Sequence, residues 1–268
     1  MEQSVSISIK ENEEMQRNGF MIIPFPDELS TSMVSHIKSF VQGSVHDKEE
    51  VMDHETSLTD LVTMLSDEEF VKRYSKPQRM FPEQVTKKAI AWVEGLASFL
   101  GGSRAGVNFV SEDEYTQNAK LNRYSYDVFW RCVRPRKADI GAPHCDYQFW
   151  ELAKGTKAEP IVPFEYKERW KIWVPLLGCN SQNSLHVIPG SHLEDVPIDY
   201  ISTKNGIKPD IQEEWLKQNS YKFVCPLDKF QDCCILFHDK LVHKGTPNHG
   251  QELRISGELT ILLQQLEA

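Results

Sequence analysis

After about residue 105 the chain becomes a succession of short apolar stretches separated by Gly, Pro and Asn clusters. "AKLNRYSYDVFWRCV", "RWKIWVPLLG", "NSLHVIPGSH", "YKFVCPL", "CCILFHDKLVH" and "ELRISGELTILLQQ" are rich in β-branched and aromatic residues. Such stretches read as strands, and the residues between them read as turns. A helical segment, "DIQEEWLKQN" at 210–219, interrupts the series.

The first hundred residues have a different texture. "KENEEMQRN" (10–18) reads as a short polar helix closed by Gly19, and "FMIIPFP" as a strand stopped by two prolines. In "DELSTSMVSHIKSFVQG" the residues Met33, Val34, Ile37, Phe40 and Val41 recur at helical spacing, and Gly43 follows. "PEQVTKKAIAWVEGLASFLGG" is the strongest helix signal, with Pro82 at its start and two glycines at its end. Residues 44–56 are charged and weakly periodic, which predicts a solvated loop. The expected architecture is mostly β with flanking helices. A helical layer (about 1–105) packs on a β core (about 106–268) within one domain spanning 1–268.

Bulk properties agree. A chain of 268 residues lies within the range of one β sandwich or barrel, and a 40% hydrophobic content supports a sizeable core. A formal charge of -9, with no Lys/Arg run, disfavours nucleic acid and anionic membrane as partners. No apolar run approaches the roughly 18 residues of a membrane span. The six cysteines form no CxxC, and the N-terminus has no signal-peptide core, so a cytoplasmic location is expected.

Chemistry enters at "GAPHCDYQFW" (141–150). On a strand, His144 and Asp146 would face the same side and converge on one ion, with Cys145 packing away from them. An imidazole and a carboxylate are two-thirds of the facial triad that holds non-haem Fe(II) with open positions. A distant histidine must complete it, and "CCILFHDKLVHKGTPNHGQELRISGELT" offers His238 and His243. The "GTPNHG" turn predicts that the segment carrying Arg254 returns antiparallel beside His243, bringing a guanidinium towards the metal. An arginine fork suits the far carboxylate of a chelating 2-oxo-acid.

These motifs together resemble the phytanoyl-CoA dioxygenase family: "HCD" (144–146), "WVPLLGCNSQNSLHVIPGSH" (173–192), and "HKGTPN" (243–248) followed by Arg254. "NGFMIIPFPDELSTSMVSHIKSF" resembles that family's N-terminal strand and helix. The resemblance implies a double-stranded β-helix, a cupin-like jelly roll, that uses Fe(II), 2-oxoglutarate and O2. It implies that His144, Asp146 and His243 are the catalytic iron ligands and that Arg254 pairs with the distal carboxylate of 2-oxoglutarate. It also implies that Trp173 and the Gly245–Thr246 pair line the co-substrate pocket. Arg131 and Asn122 are candidates for its second polar contact. Where the family often has Asn-Gly, this chain has Asn183–Ser184. Related halogenating enzymes replace the carboxylate by a small residue, so Asp146 implies oxygenation.

His243 is preferred to His238 for its spacing to Arg254 and its following Gly-Thr-Pro-Asn. His238 is expected to bond backbone at the barrel rim, and His186 and His192 to be structural. Tyr147, Phe149 and Trp150 are candidates for the substrate pocket. Residues 151–169 are expected to form a lid or pocket wall. The expected activity is oxidation, chiefly hydroxylation, of a C–H bond in a small metabolite or natural-product intermediate, by a monomer or homodimer. The alternative is a non-redox metal-binding jelly roll: a Zn or Mn hydrolase or isomerase, or an inactive binding protein.

Overall fold

The computed structural model describes residues 9–43, 56–97, 99–100, 102–107, 128–153, 168–203 and 206–265. The N-terminal part supplies α1 (Ile9–Asn18), β1 (Phe20–Pro24), α2 (Asp27–Gly43), α3 (Leu58–Thr63), α4 (Asp67–Arg73) and α5 (Glu83–Glu94). The helix expected over 82–102 ends at Glu94, ahead of Gly95, and β2 (Gly102–Val107) follows. Helices α3 and α4 add to the elements expected from periodicity. Each is opened by a capping box, Ser57 with Asp60 and Ser66 with Glu69, which satisfies the first free N–H groups of a very short helix.

The C-terminal part contributes β3 (Val128–Val133), α6 (Asp146–Ala153), β4 (Glu168–Leu177), β5 (Leu185–Val187) and β6 (Ile198–Thr203). It continues with β7 (Gly206–Ile211), α7 (Glu213–Asn219), β8 (Cys233–His238), β9 (His243–Gly245) and β10 (Arg254–Gln265). The larger sheet runs β1-β8-β4-β10-β2, with β3 also paired to β10. A smaller sheet pairs β5 with β9, extended by single bridges at His144 and Val224. β6 and β7 form a separate hairpin. Two sheets closing on one another in this way make the jelly roll expected from the sequence, with helices packed on its larger sheet.

Strand alternation explains how one sheet serves both a core and a site. On β10, Ile255, Leu259, Ile261 and Leu263 join Trp130, Ile172, Val174 and Leu236 in the main core beneath the helices. Helix α2 buries Leu29, Met33, Ile37 and Val41 there, four residues apart along one stripe. The intervening β10 residues Arg254, Ser256, Glu258 and Thr260 are polar and point to the other face, inside the barrel. Lys171 and Trp173 on β4, Phe237 on β8 and Arg131 on β3 share that face with Arg254 and Glu258, all six lining one cleft.

Three expectations are corrected. "YKFVCPL" is not a strand: Ser220–Lys222 form a 3-10 turn, and Val224 makes an isolated bridge to Val187. β9 and β10 are not hairpin partners, because β9 pairs with β5 whereas β10 lies between β4 and β3 in the other sheet. The "GTPNHG" segment therefore crosses between sheets. Asp146 is also not a strand residue, as described below. The loop expected over 44–56 falls almost wholly outside the described residues, as do residues 119–127 of the first expected strand.

Gly178 shows how tightly the start of β10 is held. Its φ is +61°, and a Cβ there would sit 2.0 Å from the Leu253 carbonyl oxygen, beside Arg254. Gly178→Ala should destabilise the protein by about 2–4 kcal/mol, from the left-handed backbone and the clash together. The midpoint of urea unfolding measures this directly. All six cysteines are free thiols, and no helix among the described residues is long and apolar enough to cross a membrane.

Candidate metal centre

His144 and His243 are brought together by a single antiparallel bridge. The His144 N–H donates to the His243 carbonyl at 3.0 Å, and the His243 N–H returns the bond to the His144 carbonyl at 3.0 Å. Directly opposed residues project their side chains to the same face, so the ring centroids lie 4.4 Å apart. Each ring also has a fixed tautomer. His144 Nδ1–H donates to the Ala142 carbonyl (2.8 Å) and His243 Nδ1–H to the Leu241 carbonyl (2.9 Å). A carbonyl oxygen only accepts, so Nδ1 carries the proton and the Nε2 lone pair is free.

Both Nε2 atoms face Asp146. His144 Nε2 is 3.9 Å from Oδ1 and His243 Nε2 is 3.6 Å from Oδ2. Asp146 reaches this point as the first residue of α6, not as the next inward residue of a strand. The strand pattern lapses after His144, where the bridge to β9 ends. Cys145 then turns into an apolar cluster with Ile188, Ile211 and Val242. Burial there pushes its thiol pKa up to about 12, which suits packing and not ligation. The Tyr147 N–H, bonded to the Asp239 carbonyl at 3.0 Å, ties the first turn of the helix to the loop before His243.

The site is therefore three donors within 4.8 Å of one another, two of them neutral imidazoles aiming lone pairs at a carboxylate. Lone pairs facing a carboxylate repel it unless a cation lies between them, so this donor set fits a divalent metal. Burial, then the neighbouring His144, pushes His243 down from 6.5 to about 4, keeping it neutral near pH 7. Burial opposes ionisation of Asp146, but the cations around it, Lys171 foremost, hold its carboxyl well below the usual carboxylate range.

One consequence is a pH dependence of the metal-free protein. Between pH 6.5 and about 4 the unfolded chain takes up a proton that folded His243 refuses. This contribution to stability is fully present above that window and is lost as pH falls through it. By about pH 5 the loss should reach roughly 2 kcal/mol. His243→Gln should remove that part of the slope in urea titrations at about pH 7 and about pH 5.

The donors open onto a cleft also lined by Ile140, Ile172, Leu185 and Gly245. Arg254, only 2% exposed, also lines it. Its Nη1 donates to the Asn183 carbonyl (3.0 Å), whereas its Nε has no hydrogen-bond partner among the described residues. Among the described residues no carboxylate pairs with it. Asn183 is itself held by the Gly178 carbonyl (2.9 Å) and Asn248 Oδ1 (3.2 Å), so the arginine is aimed by a fixed turn. Gly245 keeps the space beside the guanidinium open: a Cβ there would come within 3.6 Å of both terminal nitrogens. The Ser256 hydroxyl, one strand repeat along β10, is buried and also lacks a partner among the described residues.

A sequence model of the phytanoyl-CoA dioxygenase (PhyH) family matches residues 16–256, which include all three donors and Arg254. The chain belongs to the phytanoyl-CoA dioxygenase family. It is an Fe(II)- and 2-oxoglutarate-dependent non-haem iron oxygenase, as that family is. No curated protein matches it. Among solved structures, EctD from S. alaskensis with bound Fe superposes with a TM-score of 0.55 at 16% identity, over 99% of this chain and 82% of that one. The same enzyme with 2-oxoglutarate and 5-hydroxyectoine gives 0.51 at 16% identity, covering 98% and 78%. SnoK, a non-haem α-ketoglutarate-dependent carbocyclase from nogalamycin biosynthesis, gives 0.55 at 11% identity, covering 97% and 87%. At these identities the likeness concerns the fold.

Within this family's frame the other expected residues divide. Trp173 lines the cleft, and so does Arg131, which is ion-paired with Glu258. Thr246 does not line it: its hydroxyl donates to the Ser184 carbonyl (2.9 Å), fastening the chain after β9. Tyr147, Phe149 and Trp150 do not line it either, because they follow Asp146 on a helix. Tyr147 and Trp150, one turn apart, both lie against Arg169, at 5.7 and 4.6 Å. Phe149, three residues from Asp146, meets the outer edge of His144 at 5.7 Å and is 41% exposed. His238 accepts the Lys240 N–H (3.1 Å), and His186 and His192 bond the Ser181 and Gln16 carbonyls (2.9 and 3.0 Å). Asn122 and residues 154–167 of the expected lid lie outside the described residues.

Lys171 and Glu258 are the site residues that the sequence reading missed. The signal was present in strand alternation: Lys171 precedes Trp173 by two and Glu258 follows Arg254 by four, each on the inward face.

Proposed function

We propose that this oxygenase hydroxylates a C–H bond of a small organic molecule, with O2 consumed and 2-oxoglutarate converted to succinate and CO2. One oxygen atom enters the product and the other enters succinate, so the reaction balances without a further reductant. The observation that carries this reading is Arg254, a buried guanidinium without an anionic partner among the described residues, in the same cleft as three convergent donors. A buried cation without a counter-ion is costly, so its retention supports a resident carboxylate ligand. A hydrolytic zinc or manganese site has no use for such a clamp, and the non-redox alternative leaves Arg254 unexplained.

The iron, when bound, supplies activation of O2 for attack on an unactivated C–H bond. The chain's own part is to hold and aim. His144 and His243 present Nε2 from one backbone bridge, and their Nδ1 bonds stop the rings turning. Asp146 supplies the single anionic ligand. Arg254 would hold the far carboxylate of 2-oxoglutarate, with Gly245 leaving room beside the guanidinium. Trp173 and Phe237 give the cleft apolar walls that exclude water from the reacting centre.

The test is succinate release with iron, 2-oxoglutarate and a panel of small metabolites, followed by mass spectrometry. A panel member should stimulate succinate release and gain one oxygen atom. Stimulated succinate release with a product that lacks the added oxygen would refute hydroxylation.

A further inference from the structure

The ionic groups lining the cleft fall into pairs, with one left over. Arg131 is ion-paired with Glu258 on the neighbouring strand. Asp139 accepts two bonds from the Arg134 guanidinium, at 2.8 and 2.9 Å. On the function proposed above, on which this inference rests, Asp146 and one carboxylate of 2-oxoglutarate balance the dication. Arg254 balances the other carboxylate. Lys171 then remains as a positive charge whose carboxylate neighbour, Asp146 at 3.7 Å, is already engaged by the metal.

Lys171 is also poorly placed to be satisfied by the protein. Its side chain is only 11% exposed, and Nζ lies 3.7 Å from Asp146 Oδ2, beyond hydrogen-bond length. Among the described residues its one hydrogen bond is to Thr260 Oγ1, at 2.9 Å. Thr260 stands directly opposite it on β10 and Phe237 opposite it on β8, while Trp173 follows two residues along β4. The ammonium keeps two further N–H groups. Two donors and one charge, flanked by two aromatic rings, suit a carboxylate on a small carbon skeleton. A phosphate dianion would call for a second cation.

We propose that Lys171, held in place by Thr260, recognises a carboxylate of the substrate. The substrate class is then a small organic acid. Since the ammonium lies beside a metal ligand, the oxidised carbon is close to the acid group.

The test uses the protein loaded with Mn(II) and 2-oxoglutarate, in which the paramagnetic ion relaxes the protons of any molecule held near it. The probes are butyrate and butyramide, which match in shape and differ in charge. Butyrate should be relaxed selectively. Lys171→Met should cut that selectivity about tenfold or more, without weakening Mn(II) or 2-oxoglutarate binding. Thr260→Val, which keeps both shape and charge, should cut it partly. Equal relaxation of the two probes would overturn the proposal, as would selectivity that survives Lys171→Met. Weaker Mn(II) binding with butyrate selectivity intact would make Lys171 a positioning residue for Asp146, and would overturn it equally. Failure of the unmodified protein to bind Mn(II) or 2-oxoglutarate would instead locate the error in the function proposed above, and this inference would fall with it.

Discussion

Asp146→Ala should abolish turnover and weaken Fe(II) binding by about 100-fold or more. The expectation follows from what the other two donors become without it. His144 and His243 are neutral imidazoles with fixed tautomers, so Asp146 is the centre's only anionic donor. Its removal also strips Lys171 of its nearest negative charge, leaving a cation facing the metal position. The first turn of α6 should survive, because it is tied through the Tyr147 N–H to the Asp239 carbonyl and not through the Asp146 side chain. Asp146→Asn separates charge from shape and should lose nearly as much affinity. Titration with Fe(II) under anaerobic conditions, alongside succinate release in air, measures both effects. A variant that retained full iron-dependent turnover would show that the three donors have been wrongly assigned.

Arg254→Lys should raise the 2-oxoglutarate concentration needed for half-maximal turnover by roughly 10- to 100-fold, with Fe(II) affinity unchanged. The charge is kept, but the planar fork that matches a carboxylate is lost. The shorter lysine also forfeits the bond to the Asn183 carbonyl that aims the side chain. Arg254→Leu should cost more, since it leaves the carboxylate buried without a counter-ion. An unchanged 2-oxoglutarate requirement in either variant would contradict the role given to Arg254.

How much of this was legible in the sequence depended on whether a residue's role was carried by local pattern or by tertiary position. The jelly roll was readable because strand alternation and turn residues are local properties, and the buried stripe of α2 because its spacing is helical. That His144, Asp146, His243 and Arg254 would share one cleft was readable because an HxD, a distant histidine and an arginine eleven positions on are jointly specific. The route by which those residues meet was not. Asp146 was expected on a strand and begins a helix, and the same change of element turns Tyr147 and Trp150 away from the cleft towards Arg169. Arg254 was expected to arrive by a hairpin and instead arrives from the opposite sheet. Helices α3 and α4 are too short for periodicity to register, although the spacing of Ser57 to Asp60 and Ser66 to Glu69 marks their starts. Lys171 and Glu258 could have been found by extending strand alternation outward from Trp173 and Arg254.

The most direct test of the central claim is anaerobic addition of Fe(II) and 2-oxoglutarate, followed by visible absorption spectroscopy. Chelation of the 2-oxo-acid to an iron held by His144, Asp146 and His243 predicts a weak metal-to-ligand charge-transfer band that needs both additions. Asp146→Ala should abolish it, and Arg254→Lys should shift its appearance to higher 2-oxoglutarate. A protein that bound Fe(II) yet gave no such band at saturating 2-oxoglutarate would contradict the account.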